Sequence, residues 1–497
     1  MKPFLVRRRA AGPYRRGVSV ATLAIGGTLL LVATTLASCS STSPSALGPL
    51  ATYHADNART GYSTDTGITS ANAASLTEQW SKKETAAISA QAIVNDGVVY
   101  WGDWNGIEHA TTTGGMSLWS TSIGIAPRPS ACPFKQLGPI GVVSSATVGE
   151  IDGKRAVWVG GGNGSMYALD ASTGAVIWQT QLGSSPLHVL WSSPSFFDGS
   201  IYEGVASWND CPDINGSLVR LNAATGAIQA TFTPSIPSTC VGVGIWSSVA
   251  SDPSTDAIYV GTGPTYLKSD LSKPCMSPDE QGVVRLNPNT LTLESRWQLP
   301  PGQAGFDLDF GATPMLFSAT VNGVGRELVG AENKNGFYYV FDRNDLAAGP
   351  VWSYQVETDT ALKSTACEDR NTISPSAWAG QGSPVIVAGI AVNGPSCIGT
   401  ITALDPASGQ PMWQVPVGGV VQGAVTEVPG LLAVGAGPFL QVLSSSTGAS
   451  LFTYREPAGP DTGNGQGQNQ FFWPPPTISG TKLIIGNEDG YFRAFGL

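Results

Sequence analysis

The sequence predicts an all-β chain: an eight-bladed β-propeller of four-stranded antiparallel blades, its ring closed by the N-terminal strand joining the C-terminal blade. Three observations predict it. A turn-plus-aromatic unit recurs at roughly fifty-residue spacing, the size of a four-stranded blade with loops. The last unit stops short at the C-terminus, and the piece it lacks lies near the N-terminus. No long helical period occurs beyond the first 38 residues.

The clearest unit is Ala168 to Trp178. Apolar alternation runs into Leu169, as a half-buried strand requires. Asp170 through Gly174 then turn the chain, the carboxylate bonding local N–H groups and the glycine allowing φ > 0. Trp178 opens the return strand as a large apolar plug that needs a neighbouring surface. A lone hairpin of this kind is not stable in water, so its recurrence is what matters. Ala403 to Trp413 repeats it closely. Looser copies run from His109 to Trp119, Arg220 to Ala230 and Val442 to Phe452, and two with altered loops reach Trp297 and Trp352. The final stretch from Leu483 to Phe495 lacks a returning strand, which Leu76 to Trp80 supplies. That pairing leaves no blade with an open edge.

The chain is expected to divide into residues 1–38 as a lipoprotein signal peptide, 39–51 as a flexible tether and 52–497 as the propeller. Arg7, Arg8, Arg9, Arg15 and Arg16 precede the apolar stretch Val18 to Leu36, and Leu36-Ala37-Ser38-Cys39 resembles a bacterial lipobox with Cys39 as the lipidated residue. An uncleaved membrane anchor is the alternative, since the apolar stretch is nearly long enough to span. Either way the body lies outside the cytoplasm, lipid-anchored to the bacterial cell membrane in the first case. Six of the 26 basic residues and none of the 36 acidic ones precede Cys39, so the mature chain stands near −16. Such a body argues against a nucleic-acid partner.

Six cysteines follow Cys39: Cys132, Cys211, Cys240, Cys275, Cys367 and Cys397. An even number in an exported chain implies disulfides, with fifteen pairings open. His54, His109 and His188 are the only histidines, and their scatter gives neither zinc-type spacing nor a Ser–His–Asp hydrolase set.

The run A-x-D-x-x-T-G-x-x-x-W resembles the repeat of the pyrroloquinoline quinone (PQQ) dehydrogenases, eight-bladed propellers in which each Trp docks between blades. Non-catalytic relatives share the repeat, including the propeller lipoprotein of outer-membrane protein assembly. The resemblance covers about the whole mature chain, and it is specific for fold but not for activity. Channel-facing residues are expected where inner strands begin, at Ser144-Ser145, Trp191 to Ser193, Trp246 to Ser248, Asp309 to Gly311, Trp378 to Ser383, Gln422-Gly423 and Trp473-Pro474.

Within that resemblance, Trp246 in Trp246-Ser-Ser-Val-Ala-Ser-Asp252-Pro253, ahead of Gly261-Thr262-Gly263, matches the Trp that floors the quinone. Asp309-Phe310-Gly311 matches the segment whose Asp is catalytic base and calcium ligand, with Asp307 as a second carboxylate. Lys334 and Asn335, in Asn333-Lys334-Asn335-Gly336-Phe337, match the segment whose cation reaches the quinone oxygens. The resemblance therefore implies PQQ, Ca²⁺, a small-molecule alcohol and an external electron acceptor, in a protein expected to be a monomer. Three departures stand against it. Pro264 replaces the calcium-binding Asn, the expected Glu ligand is not evident although Glu203 and Asp210 are nearby, and the adjacent Cys-Cys pair is absent. Asp210, Asp213 or a carbonyl would have to complete a calcium site, which wants six or more oxygens. The competing reading is a non-catalytic scaffold that binds protein partners. A third, sugar or cell-wall binding through aromatics, has no residue that selects it.

Overall fold

Asp170 caps its turn as the repeat requires. Its Oδ1 accepts the backbone N–H groups of Ser172 and Thr173 at 3.0 and 2.9 Å, and Gly174 follows at φ 72°. Asn222 and Asp405 cap their turns in the same way. The computed structural model describes residues 51–130, 132, 138–357, 373–393, 396–457 and 471–497. The stretch expected to be a signal peptide, Cys39, most of the expected tether and Cys367 lie outside the described residues.

Among the described residues the regular elements are β-strands apart from two short 3-10 turns. Thr147–Ile151, Lys154–Gly160, Ser165–Asp170 and Val176–Gln181 make one antiparallel sheet, and the same four-stranded order recurs along the chain. At the chain ends, Thr477–Ser479, Lys482–Gly486 and Tyr491–Gly496 form three strands, and Thr77–Lys83 adds the fourth with Trp80 opposite Ala494. The strand expected to complete the last unit therefore pairs where the sequence placed it.

Between sheets, the repeat explains itself twice. Trp178 donates its indole N–H to Ala223 O at 3.0 Å, on the next unit's turn. The glycine of that turn, Gly226, must lack a side chain, because a Cβ there would lie 2.6 Å from the Trp178 ring. Trp80 meets Gly115, Trp119 meets Gly174, Trp352 meets Gly409 and Trp413 meets Gly448 in the same relationship. Each glycine thus serves its own turn through φ > 0 and the preceding sheet through its missing Cβ.

Apolar clusters bridge successive sheets. Leu483, Ile485 and Phe495 pack with Leu431, Leu440 and Val442 on one side, while Ile484 and Phe492 pack with Val99 and Trp101 on the other. Fully burying a side chain of this kind contributes roughly 1.5–3 kcal/mol. Arg493 adds a polar tie. Its guanidinium bonds Glu78 at 3.0 and 3.1 Å and is also held by Glu456.

The starts of the inner strands are linked by hydroxyls. Gln91 N–H donates to Ser145 Oγ, Ser145 to Ser193, Ser193 to Ser248, and Ser248 to Thr313, at 2.8 to 3.0 Å. Each hydroxyl accepts a neighbour's N–H and retains a proton of its own to donate.

Two disulfides are defined, Cys132–Cys211 and Cys240–Cys275, and Cys397 is also disulfide-bonded. The second clamps an unanticipated three-stranded sheet, Cys240–Gly242, Thr265–Leu267 and Asp270–Pro274, inserted within the repeat.

Candidate active site

The inner-strand starts surround a cavity of about 520 Å³. Ser145, Trp191, Trp246, Asp309, Gln422 and Trp473 all line it, as expected of channel-facing positions. Trp378 does not line it, and packs instead against the core around Phe317.

Trp246 is half-buried and fixed on two sides. The indole lies so close to Gly311 that a Cβ there would fall 2.1 Å from its ring carbons. Its N–H donates to Asp309 Oδ1 at 3.0 Å. The other carboxylate oxygen of Asp309 lies 2.8 Å from Lys334 Nζ, which also meets Asp307 Oδ1 at 2.7 Å and sits 5.3 Å from the Trp246 ring centroid. Trp246, the two carboxylates and the cation therefore come from three segments of chain into one contact network.

The electrostatics follow from burial. For Asp309, burial alone would raise the pKa, but the Lys334 charge and the bonds from Lys334 and Trp246 outweigh it and hold the carboxyl below its usual range. For Asp307, burial prevails over Lys334 and pushes the carboxyl up to about 6. Lys334 loses to burial but gains more from Asp309, Asp307 and Asp210, so its pKa is raised. Asp213 is pushed up to about 8 by burial and then by Asp210, Asp309 and Asp307. The network thus holds Asp309 as an ionised carboxylate beside a firmly charged ammonium.

Asn335 takes a different position. Its amide donates to Tyr339 OH at 2.8 Å, its carbonyl oxygen accepts Phe337 N–H, and it is not on the cavity wall. Asn333, one turn position earlier, braces the site by donating to Leu308 O at 2.9 Å.

A divalent cation finds no assembled cage. Pro264 contributes no side-chain ligand, and its carbonyl already accepts Val243 N–H at 2.7 Å. Among the described residues, the one group of three acidic or histidine side chains with ligand atoms within 4.8 Å of one another is Glu84, Asp103 and His109, away from this network. There His109 lies 3.1 Å from Asp103 and 3.0 Å from Ser120, a Ser–His–Asp row that the sequence did not reveal. Asp103 Oδ1 caps its own turn by accepting Asn105 and Ile107 N–H groups.

A planar quinone finds better support. The indole offers a flat face, Lys334 a cation, and Ser145, Ser193, Ser248 and Thr313 hydroxyl donors for carboxylates.

Sequence reasoning missed Trp104 and Tyr266, which also line the cavity. Trp104 has a positional signal once the two turns are aligned as structure. It occupies, in Asp103-Trp104-Asn105-Gly106, the place of Lys334 in Asn333-Lys334-Asn335-Gly336. Both turns are capped by their first side chain at 2.8 Å and end in a glycine with φ near 80°.

The family described as outer membrane protein assembly factor BamB matches residues 110–268. The quinohemoprotein alcohol dehydrogenase ADH IIB of Pseudomonas putida is 26% identical over 320 residues, 56% of this chain and 43% of that enzyme. The matched region thus spans less than half of that relative's length. Among solved structures, quinohemoprotein alcohol dehydrogenase from Comamonas testosteroni superimposes with a TM-score of 0.70 at 18% identity, covering 90% of this chain and 80% of that one. BamB from Moraxella catarrhalis gives 0.54 at 15%, covering 85% and 100%. The repeat, its Trp–Gly docking and these likenesses together make the chain similar to the PQQ-repeat β-propellers.

Proposed function

We propose that the chain is an exported, eight-bladed quinoprotein-dehydrogenase-like propeller that binds PQQ over its channel and oxidises an alcohol. Support for the closed ring is the pairing of Trp80 with Ala494 and the apolar clusters on both flanks of that sheet. Cys39 would carry the lipid anchor, and the disulfides accord with an oxidising compartment.

The observation that carries the activity is the clamp of Lys334 on Asp309 beside Trp246. PQQ, when bound, supplies a two-electron acceptor for the alcohol carbon. Asp309, kept ionised by Lys334 and Trp246, accepts the alcohol hydroxyl proton. Lys334 keeps a positive charge where negative charge builds up, and Trp246 keeps water off one face. Electrons then pass to an external acceptor.

The test is alcohol-dependent dye reduction by the purified protein loaded with PQQ. Wild type should turn over, and Asp309→Asn should bind PQQ yet reduce dye more slowly, by about 10²–10⁴-fold for a lost general base. PQQ-loaded protein inactive on every alcohol tried would contradict it.

The second reading, a non-catalytic scaffold for protein partners, is favoured by the match to the assembly-factor family and by Pro264 at the place of a metal ligand.

A further inference from the structure

Four aspartates line the cavity, and Lys334 pairs with two of them, Asp307 and Asp309. Asp210 and Asp213 form no salt bridge among the described residues. Lys334 is the sole basic side chain among the described residues on that wall. Burial raises the carboxyls of Asp213 and Asp210 above their usual range, so a cation seated beside them would stabilise their ionised forms.

Asp210 is built into an aromatic corner. Ser207 donates its hydroxyl to Asp210 Oδ1 at 2.7 Å, and the Ser207 carbonyl accepts the Trp191 indole N–H at 2.9 Å. Trp191 meets Trp104 edge-to-face at 6.5 Å, and Trp104 lies 5.9 Å from Trp473. The Trp104 N–H is taken by Ser89 Oγ at 2.8 Å. The Trp191 and Trp104 N–H edges are engaged by protein, the buried Trp473 N–H is not, and all three half-buried indoles line the cavity. The Cys132–Cys211 disulfide, in the same apolar cluster as Trp104 and Trp191, fixes the residue next to Asp210.

We propose that this corner of indoles and Asp210 binds an organic ammonium group, so that the oxidised alcohol is one that carries a quaternary or primary ammonium. Ring faces attract a cation through their quadrupole, and a weakly hydrated organic ammonium suits them best. A small divalent ion instead demands many convergent oxygens, and indoles supply none. The term substrate rests on the dehydrogenase reading; the cation site does not.

The test is calorimetric titration of the purified protein, without quinone, using choline and its neutral isostere 3,3-dimethylbutan-1-ol. Choline should bind saturably and be displaced by tetramethylammonium, with the isostere weaker by about tenfold or more. Asp210→Asn and Trp191→Leu should each weaken choline by a similar factor. Equal binding of choline and the isostere would overturn the proposal without any variant. So would tight binding of calcium chloride alone that Asp210→Asn abolishes while choline gives no heat. Failure of PQQ to bind would remove the dehydrogenase reading and leave the choline titration unaffected, so the two failures are distinguishable.

Discussion

Lys334 and Asp309 are joined twice: the backbone N–H of Lys334 donates to Asp309 O at 3.0 Å, and its ammonium lies 2.8 Å from Asp309 Oδ2. Main chain and side chain together pin the Asn333–Gly336 turn to the loop that carries both aspartates. The cation is therefore placed by the fold and does not depend on a long side chain finding its partner.

Removing that cation should cost stability. Lys334→Met leaves the buried Asp309 without its cation beside the partly exposed Asp307, and breaking a buried pair from one side costs about 3–5 kcal/mol. Urea unfolding at pH 7 should show this loss. The double variant Lys334→Met/Asp309→Asn should recover part of it, because one of the stranded charges is gone.

Gly311 is the support beneath the indole. Its backbone φ is not in the left-handed region, so Gly311→Ala acts through its methyl group, which would lie 2.1 Å from the Trp246 ring. The variant should stay folded by circular dichroism while its Trp emission shifts as the indole is displaced. Unchanged emission and unchanged ligand binding would mean that the indole is not held there.

The double duty of the turn glycines separates in two substitutions. Gly97 and Gly226 both have positive φ, at 77° and 70°, but a Cβ at Gly97 meets nothing within 4 Å, whereas one at Gly226 meets Trp178. Gly97→Ala should cost about 1–2 kcal/mol, the strain of a left-handed alanine. Gly226→Ala should cost measurably more in the same denaturation assay, because Trp178 must also leave its seat.

Burial raises the Glu427 carboxyl to about 8, and its Oε2 has no hydrogen-bond partner. A raised carboxyl favours the folded state fully only below its unfolded value, near 4.5, and that contribution is lost as pH rises through about 8. Glu427→Gln should therefore match wild type near pH 4 and exceed it at pH 9. With each pKa unit equivalent to about 1.4 kcal/mol, the gap should reach a few kcal/mol. Parallel thermal melts across that range provide the check.

Much of the fold was legible because the repeat encodes contacts on both sides of itself. Asp170 caps its own turn, Gly174 serves that turn and the preceding sheet, and Trp178 docks on the next sheet. Trp246, Asp309 and Lys334 were legible as separate motifs, and they meet. Asn335 shares a motif with Lys334, but its side chain closes its own turn against Tyr339, a contact that spacing alone does not reveal. The inserted sheet around Tyr266 was hidden because its strands are short and paired across a disulfide whose connectivity the sequence left open. Trp104 was hidden for another reason: its turn matches that of Lys334 only once the turns are aligned as structure.

The most direct measurement is titration of the purified protein with PQQ, following Trp fluorescence, in EDTA and again in calcium. The account predicts saturable quenching in both, with Lys334→Met and Trp246→Leu each weakening it by about tenfold or more. No saturable quenching in either buffer would contradict the claim that this cavity is a quinone site.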